Sequence, residues 1–221
     1  MADVLVTGFE PFGGGDRNPS QEIARAVDGT SVGGGQVTGR VLPVSMRRLA
    51  DALRQALDET RPRLIVSLGL AGGESMVRLE RLGVNLADFP FGDNDGRKSL
   101  DEAIAPGGPA AFPTTLPNRA ILNALLAAGI PARLSDTAGT YLCNACIYLT
   151  GKMLAERAAG APFGFIHLPY MPEQVAALVS AGSQPEQMAS MPLALMARAT
   201  ELAIETALQS NVTIARAASR S

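Results

Sequence analysis

The stretch Leu64-Ile-Val-Ser-Leu68 is the part of the sequence that best predicts the fold. It is a short, nearly continuous apolar run, which is typical of a strand covered by helices on both faces, and the glycine-rich turn Gly69–Gly73 follows it. A second such run, Val4-Leu-Val-Thr7, ends at Gly8, and Phe163-Gly-Phe-Ile-His167 ends at the only histidine of the chain. These runs predict the buried centre of a sheet.

Segments with helical periodicity separate the strand-like runs. Alternation of strands and helices predicts the α/β class, and specifically a three-layer α/β/α sandwich around a twisted, mostly parallel open sheet. The predicted helices span residues 19–27 (begun by Asn18-Pro19), 45 to about 60, 116–128, 142–159 and 191–209. The further predicted strands span residues 37–44, 79–86 and 132–134.

One domain is predicted for residues 1–210, because no linker clearly divides the chain and 221 residues suffice for a sizeable core. The tail, residues 211–221, lacks periodicity and is expected to fray. Residues 87–116 are rich in Pro, Gly and Asp and are predicted to form a loop. A loop of that length inside a domain usually serves as a lid or a mobile insertion.

The composition excludes several classes of protein. Hydrophobic residues make up 47% and charged residues 18%, as in globular proteins. A net charge of −2 without a basic cluster argues against a nucleic-acid partner. No apolar run approaches the roughly 18 residues of a membrane span, and the first residues do not resemble a signal peptide. We therefore expect no membrane partner and a cytoplasmic location, where Cys143 and Cys146 stay reduced.

The single histidine, His167, restricts the catalytic chemistry that is available. Thiol catalysis needs a base within hydrogen-bond reach of the sulfur and a third group that orients the base. Cys143 lies at the start of a predicted helix, where the helix dipole favours a thiolate and free N–H groups can stabilise an oxyanion. Gly8, Gly69–Gly73 and His167 each follow a strand, so we expect the site at the carboxyl edge of the sheet.

Three other classes of function are considered. The spacing Cys143-Asn-Ala-Cys146 fits a dithiol oxidoreductase, but it lies well past mid-chain, outside the strand–helix context of thioredoxin-like proteins. Two thiols and one histidine are one ligand short of a structural zinc site unless a carboxylate joins them, and no metal or other cofactor is predicted. The triplets Gly13–Gly15 and Gly33–Gly35 match neither GxGxxG nor a P-loop, which disfavours a nucleotide-binding module.

Each candidate residue also has an ordinary structural interpretation. A cysteine in an apolar helix, such as Cys143, is usually a small buried hydrophobe. His167 would be a hydrogen-bonded core residue, and Phe9 and Phe12 would be core or surface aromatics. Glu80, with an arginine nearby on each side, would form a solvated ion pair.

Four segments share their sequence and spacing with one known family. They are Val6-Thr-Gly-Phe-Glu-Pro-Phe-Gly-Gly14, Glu80-Arg81 with Val84-Asn85 downstream, Asp136-Thr-Ala-Gly-Thr-Tyr-Leu-Cys-Asn144 and Phe165-Ile-His-Leu-Pro-Tyr170. From about Asp3 to Gln174 the chain thus resembles pyroglutamyl peptidase I, a cysteine peptidase also called pyrrolidone-carboxylate peptidase. The resemblance implies a single α/β/α domain that removes N-terminal pyroglutamyl residues from peptides and commonly assembles into homotetramers.

The resemblance assigns a role to each member of a Cys–His–Glu constellation. Cys143 would be the nucleophile, His167 the general base and then the general acid, and Glu80 the residue that orients the imidazole. Asn18 lies in the family's Asn-Pro-Ser element and is interpreted as structural.

The resemblance also predicts the substrate pocket. Phe9 and Phe12 would flank the flat lactam ring, and Leu142 and Phe91 are predicted to line the same apolar slot. A free N-terminal glutamate or glutamine would bring a charged amine into this slot, and desolvating that charge is costly. Selectivity for the cyclised residue would therefore arise largely by exclusion.

Some positions depart from the family pattern. Leu70 and Glu74 stand where the family usually has glutamine and arginine, and Pro90 stands in place of a second arginine. We expect the chain to keep the chemistry and to bind substrate differently, with Phe89 and Phe91 adding apolar surface to the lid. The departures leave open a catalytically weakened relative that only binds pyroglutamyl peptides.

Overall fold

The apolar runs form the centre of a seven-stranded open sheet with helices on both faces, which confirms the predicted α/β sandwich. The structure is a computed structural model that describes residues 3–157, 160–182 and 188–218. In chain order its elements are β1 (Val4–Phe9), α1 (Pro19–Ala26), β2 (Ser31–Val32), β3 (Gly35–Leu42), α2 (Met46–Thr60), β4 (Leu64–Leu70), β5 (Val77–Glu80), β6 (Leu82–Val84), β7 (Ala87–Phe89), β8 (Ser99–Glu102), β9 (Ala111–Pro113), α3 (Asn118–Ala127), β10 (Ala132–Ser135), α4 (Leu142–Glu156), β11 (Phe163–Leu168), α5 (Pro172–Ser180) and α6 (Leu193–Ala218).

The direction of the strands determines which ends meet at the carboxyl edge. The sheet order is β10-β5-β11-β4-β1-β3-β2, and the four strands β11, β4, β1 and β3 run parallel to one another. β5 is antiparallel to β11, β10 is parallel to β5, and β2 is antiparallel to β3. The sheet is therefore mixed, with a parallel centre whose carboxyl ends lie together as predicted.

Two hydrophobic cores, one on each face of the sheet, produce the three layers. Alternate side chains of a strand point to opposite faces, so Val4 and Val6 belong to one core while Leu5 belongs to the other. Helices α1, α3 and α6 cover the first face, and α2 and α4 cover the second. Burying both faces is what stabilises the parallel centre of the sheet.

The strand predicted over residues 79–86 is divided in two. β5 belongs to the main sheet and ends at Glu80, whereas β6 pairs with β9 outside that sheet. After β5 the chain passes close to α4, where a Cβ on Gly83 would lie 2.7 Å from the backbone nitrogen of Tyr148. A single strand was predicted because β5 and β6 both contain apolar residues and buried positions, so the apolar pattern of the sequence runs on although the two strands pair with different partners.

The prediction of a loop over residues 87–116 is wrong in part, because the segment contains β7, β8 and β9. These strands have three or four residues each, which is too short for a periodicity to be visible. Partly buried hydrogen bonds anchor this segment and the residues just before it to the helices. The Asn144 side chain accepts from Val84 N at 2.8 Å and donates to the carbonyls of Val84 and Leu86 at 3.0 and 2.9 Å, and Asp93 accepts from Met46 N at 2.9 Å.

The C-terminal third differs from prediction in its helix boundaries. Helix α5 was not predicted, and α6 extends to Ala218, past the predicted end at Gln209. α4 ends at Glu156, and residues 158–159 of its predicted range, like residues 219–221 of the predicted tail, lie outside the described residues. None of the helices in the described part of the chain combines the length and apolar character that a bilayer crossing requires.

Helix α1 lies so close to β1 and β3 that two glycines are required at the contact. A Cβ on Gly39 would lie 1.9 Å from the carbonyl oxygen of Ala24, and one on Gly8 would lie 2.0 Å from that of Ser20. Both obstacles are helix backbone, which cannot move aside as a flexible side chain can.

We therefore predict that Gly39→Ala lowers the free energy of unfolding by about 1–3 kcal/mol, the range for overpacking a close contact. Urea unfolding at constant m-value measures this difference. Gly160→Ala is the matched control, because a Cβ there meets no heavy atom within 4 Å. Equal midpoints for the two variants would contradict the assigned contact.

Candidate functional site

A cavity of about 440 Å³ opens at the carboxyl ends of β1, β4 and β11. It contains Cys143 and His167, the two residues that the sequence singled out for thiol chemistry. The site therefore lies where the sheet topology predicts it. Its other lining residues are Phe9, Phe12, Asn18, Val44, Leu70, Ala71, Gly72, Glu74, Arg78, Ala138, Gly139, Tyr141, Leu142 and Tyr170.

Cys143 is the second residue of α4, as predicted, and no side chain caps the start of that helix at Tyr141. The strand β4 leaves room for the sulfur, because a Cβ on Gly69 would lie 2.9 Å from Cys143 Sγ and 2.7 Å from Phe165 Cζ. Gly69 is also the register partner of His167 in β11. A glycine at this position therefore lets the thiol approach the strand that carries the imidazole.

The carboxylate of Glu80 contacts the imidazole of His167. Its Oε1 lies 2.7 Å from His167 Nδ1 and 2.8 Å from Arg78 Nη2. A carboxylate oxygen that is ion-paired with a guanidinium acts as the acceptor for the imidazole, so Nδ1 carries the proton and Nε2 keeps its lone pair. The antiparallel register of β5 and β11 explains the contact, since it pairs Arg78 with His167 and Glu80 with Phe165.

Glu80 is not the solvated ion pair of the ordinary interpretation. Its side chain is fully buried, and its second oxygen, Oε2, has no hydrogen-bond partner among the described residues. The neighbouring Arg81 points elsewhere and pairs with Asp136 at 2.9 Å, where both side chains are exposed. A buried carboxylate is costly unless it is paired, and Arg78 and His167 are the partners that offset this cost.

Burial shifts the pKa values of the thiol and the imidazole in opposite directions. Burial raises the pKa of Cys143 above its ordinary value, and the neighbouring Cys146 and Glu80 raise it further. Burial lowers the pKa of His167, against the opposing effect of Glu80. Both shifts favour the neutral thiol and the neutral imidazole in the free protein. Desolvation at this position therefore opposes the predicted thiolate.

The predicted substrate residues fall into two groups. Phe9, Phe12 and Leu142 line the cavity. Phe91 is not part of the lining; it is 57% exposed, and its ring packs against Tyr141 at a centroid distance of 5.0 Å. Phe89 is only 1% exposed and lies edge-on to the same tyrosine at 4.8 Å, so it supports the wall from behind and adds no surface.

Two lining residues were not predicted as functional. Tyr141 forms the part of the wall that separates the cavity from Phe89 and Phe91. Burial raises the pKa of Tyr141 to about 12, so the phenol stays neutral. Arg78, whose side chain is 14% exposed, joins Glu80 at 2.8 Å to Glu74 at 3.0 Å. Glu74 is the feature of the sequence that could have pointed to Arg78 as a site residue. A partly buried carboxylate at position 74 requires a cation nearby, and Arg78 lies four residues further along the chain.

The departure at Glu74 has a structural counterpart. Its carboxylate accepts from Arg133 at 3.1 Å as well as from Arg78. Burial alone would raise the pKa of Glu74, but these two hydrogen bonds bring it below the usual value. A charged carboxylate at this position therefore holds Arg78 at the cavity wall.

Cys146 does not share the setting of Cys143. It is fully buried in the core, and its Sγ lies 3.8 Å from Ser67 Oγ. Burial raises its pKa to about 12. An inaccessible thiol does not suit the exchange chemistry of a dithiol oxidoreductase.

Comparisons with known proteins identify the relatives of the chain. The family model described as pyroglutamyl peptidase matches residues 2–210. A pyrrolidone-carboxylate peptidase of Pyrococcus furiosus is 43% identical over 206 residues, which cover 93% of this chain and 98% of the relative. One of Klebsiella pneumoniae is 42% identical over 212 residues, covering 96% and 95%. A crystal structure of pyrrolidone carboxyl peptidase from P. furiosus is similar with a TM-score of 0.89 at 42% identity, covering 94% of this chain and 98% of that one.

The single histidine makes the electrostatics of the site measurable by NMR. We expect the imidazole of His167 to titrate below 6.5, the ordinary value for histidine. Because the charge of Arg78 helps to lower the pKa of His167, Arg78→Met should move the titration to higher pH. Arg81→Met is the matched control, since its exposed side chain pairs with Asp136. An unchanged titration in Arg78→Met would contradict the role assigned to Arg78.

Proposed function

Because the chain belongs to the pyroglutamyl peptidase family, we propose that it is a cysteine peptidase that removes an N-terminal pyroglutamyl residue from peptides. The observation that carries this proposal is the buried contact of 2.7 Å between His167 Nδ1 and Glu80 Oε1, in one cavity with Cys143. It is the arrangement that a nucleophile, its base and an orienting carboxylate require.

In the proposed first step the Cys143 thiol passes its proton to Nε2 of His167 while the sulfur attacks the pyroglutamyl carbonyl carbon. A neutral pair suits this concerted transfer, because the charges form only as the bond to carbon forms. Glu80 stabilises the imidazolium that results, and it is a positioning residue since it acts through His167. The first-turn N–H groups of α4 are donors for the developing oxyanion.

The second half of the reaction uses the same residues. The imidazolium of His167 protonates the leaving amine as the carbon–nitrogen bond breaks, which leaves a thioester on Cys143. Water then attacks the thioester while neutral His167 accepts its proton, and the return of that proton to the sulfur releases pyroglutamate and restores the thiol.

The cavity wall suits a flat, uncharged ring. Phe9, Phe12, Tyr141 and Leu142 supply apolar and aromatic surface, which would hold the lactam without charge pairing. A free N-terminal amine would lose its hydration against this surface, and the one carboxylate that lines the cavity, Glu74, is already paired with Arg78 and Arg133. Phe91 contacts the rings of Tyr141 and Phe89, so we propose that it supports the wall of the slot.

The proposal also covers the extent of the domain, the cellular location and the assembly of the protein. We propose that residues 1–210 form the peptidase domain, a range close to the match of the family model. A cytoplasmic location suits two cysteines that remain free. Assembly into a homotetramer is proposed on family membership, and sedimentation equilibrium of the purified protein tests it.

Cys143→Ala should reduce kcat/KM for a pyroglutamyl amide that releases a fluorescent amine by at least about 10³-fold, as expected on loss of a nucleophile. Cys146→Ala is the matched control and should retain most of the turnover, because Cys146 is buried in the core. Turnover that survives in Cys143→Ala would refute the assigned nucleophile. An inactive wild type that still binds the amide would instead indicate the catalytically weakened relative.

The pH dependence of alkylation tests the neutral resting pair. In the Cys146→Ala variant Cys143 is the only thiol, and iodoacetamide reacts with the thiolate. Because burial places the pKa of Cys143 above its ordinary value of 9.0, the alkylation rate should still be rising beyond pH 9. Mass spectrometry gives the rate at each pH. A plateau that is already reached below pH 8 would show a preformed thiolate.

A further inference from the structure

A second cavity, of about 490 Å³, lies beside the catalytic one. The two cavities share Phe12, Leu70 and Tyr170 as lining residues, so they adjoin along one wall. One side of the second cavity is the loop between β1 and α1, and the other side is α5. The second cavity therefore adjoins the site proposed for the reaction, with these three residues between them.

Helix α5 forms its side of the cavity while standing away from the core. None of its residues is buried, although most of them are apolar. Gln174 ties the helix to the loop opposite, since its Nε2 donates to the Arg17 carbonyl at 3.1 Å and its Oε1 accepts from Met171 N at 3.0 Å. The trough between helix and loop is thereby held open, with Leu178 and Ala181 facing into it.

We propose that this second cavity binds the peptide segment that follows the pyroglutamyl residue, and that it selects apolar side chains there. The inference rests on the proposed function. An extended residue spans about 3.3–3.6 Å, so the first two residues after the scissile bond reach a neighbouring cavity. The chain that carries the leaving amine has to pass out of the catalytic cavity, and the wall of Phe12, Leu70 and Tyr170 lies between the two spaces.

The charges of the second cavity agree with an apolar or basic occupant. The guanidinium of Arg17 is held by both carboxylate oxygens of Glu22 at 2.7 Å, so it is already engaged. Asp16 adds a carboxylate to the rim, which would repel an acidic side chain. Leu70 and Leu178 offer aliphatic surface, and burying such surface favours leucine-like side chains over polar ones.

Two substrates separate this inference from the proposed function. Pyroglutamyl methylamide ends directly after the scissile bond and tests the chemistry alone. Pyroglutamyl-leucyl-leucine amide extends into the second cavity as well. We expect the wild type to hydrolyse both, with the higher kcat/KM for the extended substrate.

The decisive variant is Leu178→Asp, which places a charge in the second cavity and should lower kcat/KM for the extended substrate by about tenfold. Hydrolysis of the methylamide should stay unchanged, because Leu178 does not line the catalytic cavity. Val179→Asp is the matched control: it makes the same change one residue along α5, where the side chain is 55% exposed and is not part of the lining. It should leave both rates unchanged.

Each other result overturns the inference. An equal loss for both substrates in Leu178→Asp would mean that the helix supports the fold or the chemistry and not the peptide. Unchanged rates, combined with a lower association state in sedimentation, would assign the cavity to a second copy of the chain. A wild type that hydrolyses neither substrate would refute the proposed function, and this inference with it.

Discussion

The buried contact between Glu80 and His167 depends on one feature of the sheet, which is the reversed direction of β5. Because β5 is antiparallel to β11, Arg78 and Glu80 lie beside the histidine strand. The carboxylate thus reaches Nδ1 from a fully buried position, where the low dielectric strengthens the interaction.

Burial of this contact has consequences for the remainder of the site. A carboxylate without exposure needs compensating charge, and Arg78 supplies it. Glu74, which is also paired with Arg133, holds Arg78 in turn. The same burial raises the pKa of the Cys143 thiol and lowers that of the imidazole. Both shifts favour a neutral thiol and a neutral imidazole, which suits the proposed transfer of the proton as the sulfur attacks.

Much of the fold could be predicted from the chain because its central strands are buried on both faces. Continuous apolar runs and well-capped helices are local signals, as at Asn18, whose side chain accepts from Ser20 N at the start of α1. The segment over residues 87–116 escaped prediction because polar contacts between distant residues hold its short strands. Asp93 in this segment accepts from Met46 N, 47 residues away in the sequence, and no local pattern announces such a partner.

The sequence by itself determined the α/β class, the carboxyl edge as the location of the site, and Cys143 and His167 as the pair at that edge. These follow from local apolar patterns and from the presence of a single imidazole. The tertiary structure alone decided that Arg78 lines the cavity, that Phe89 supports its wall and that burial opposes ionisation of the thiol. The physical reason is that charge pairing, support and desolvation depend on distances between residues far apart in the chain, which the order of residues does not contain.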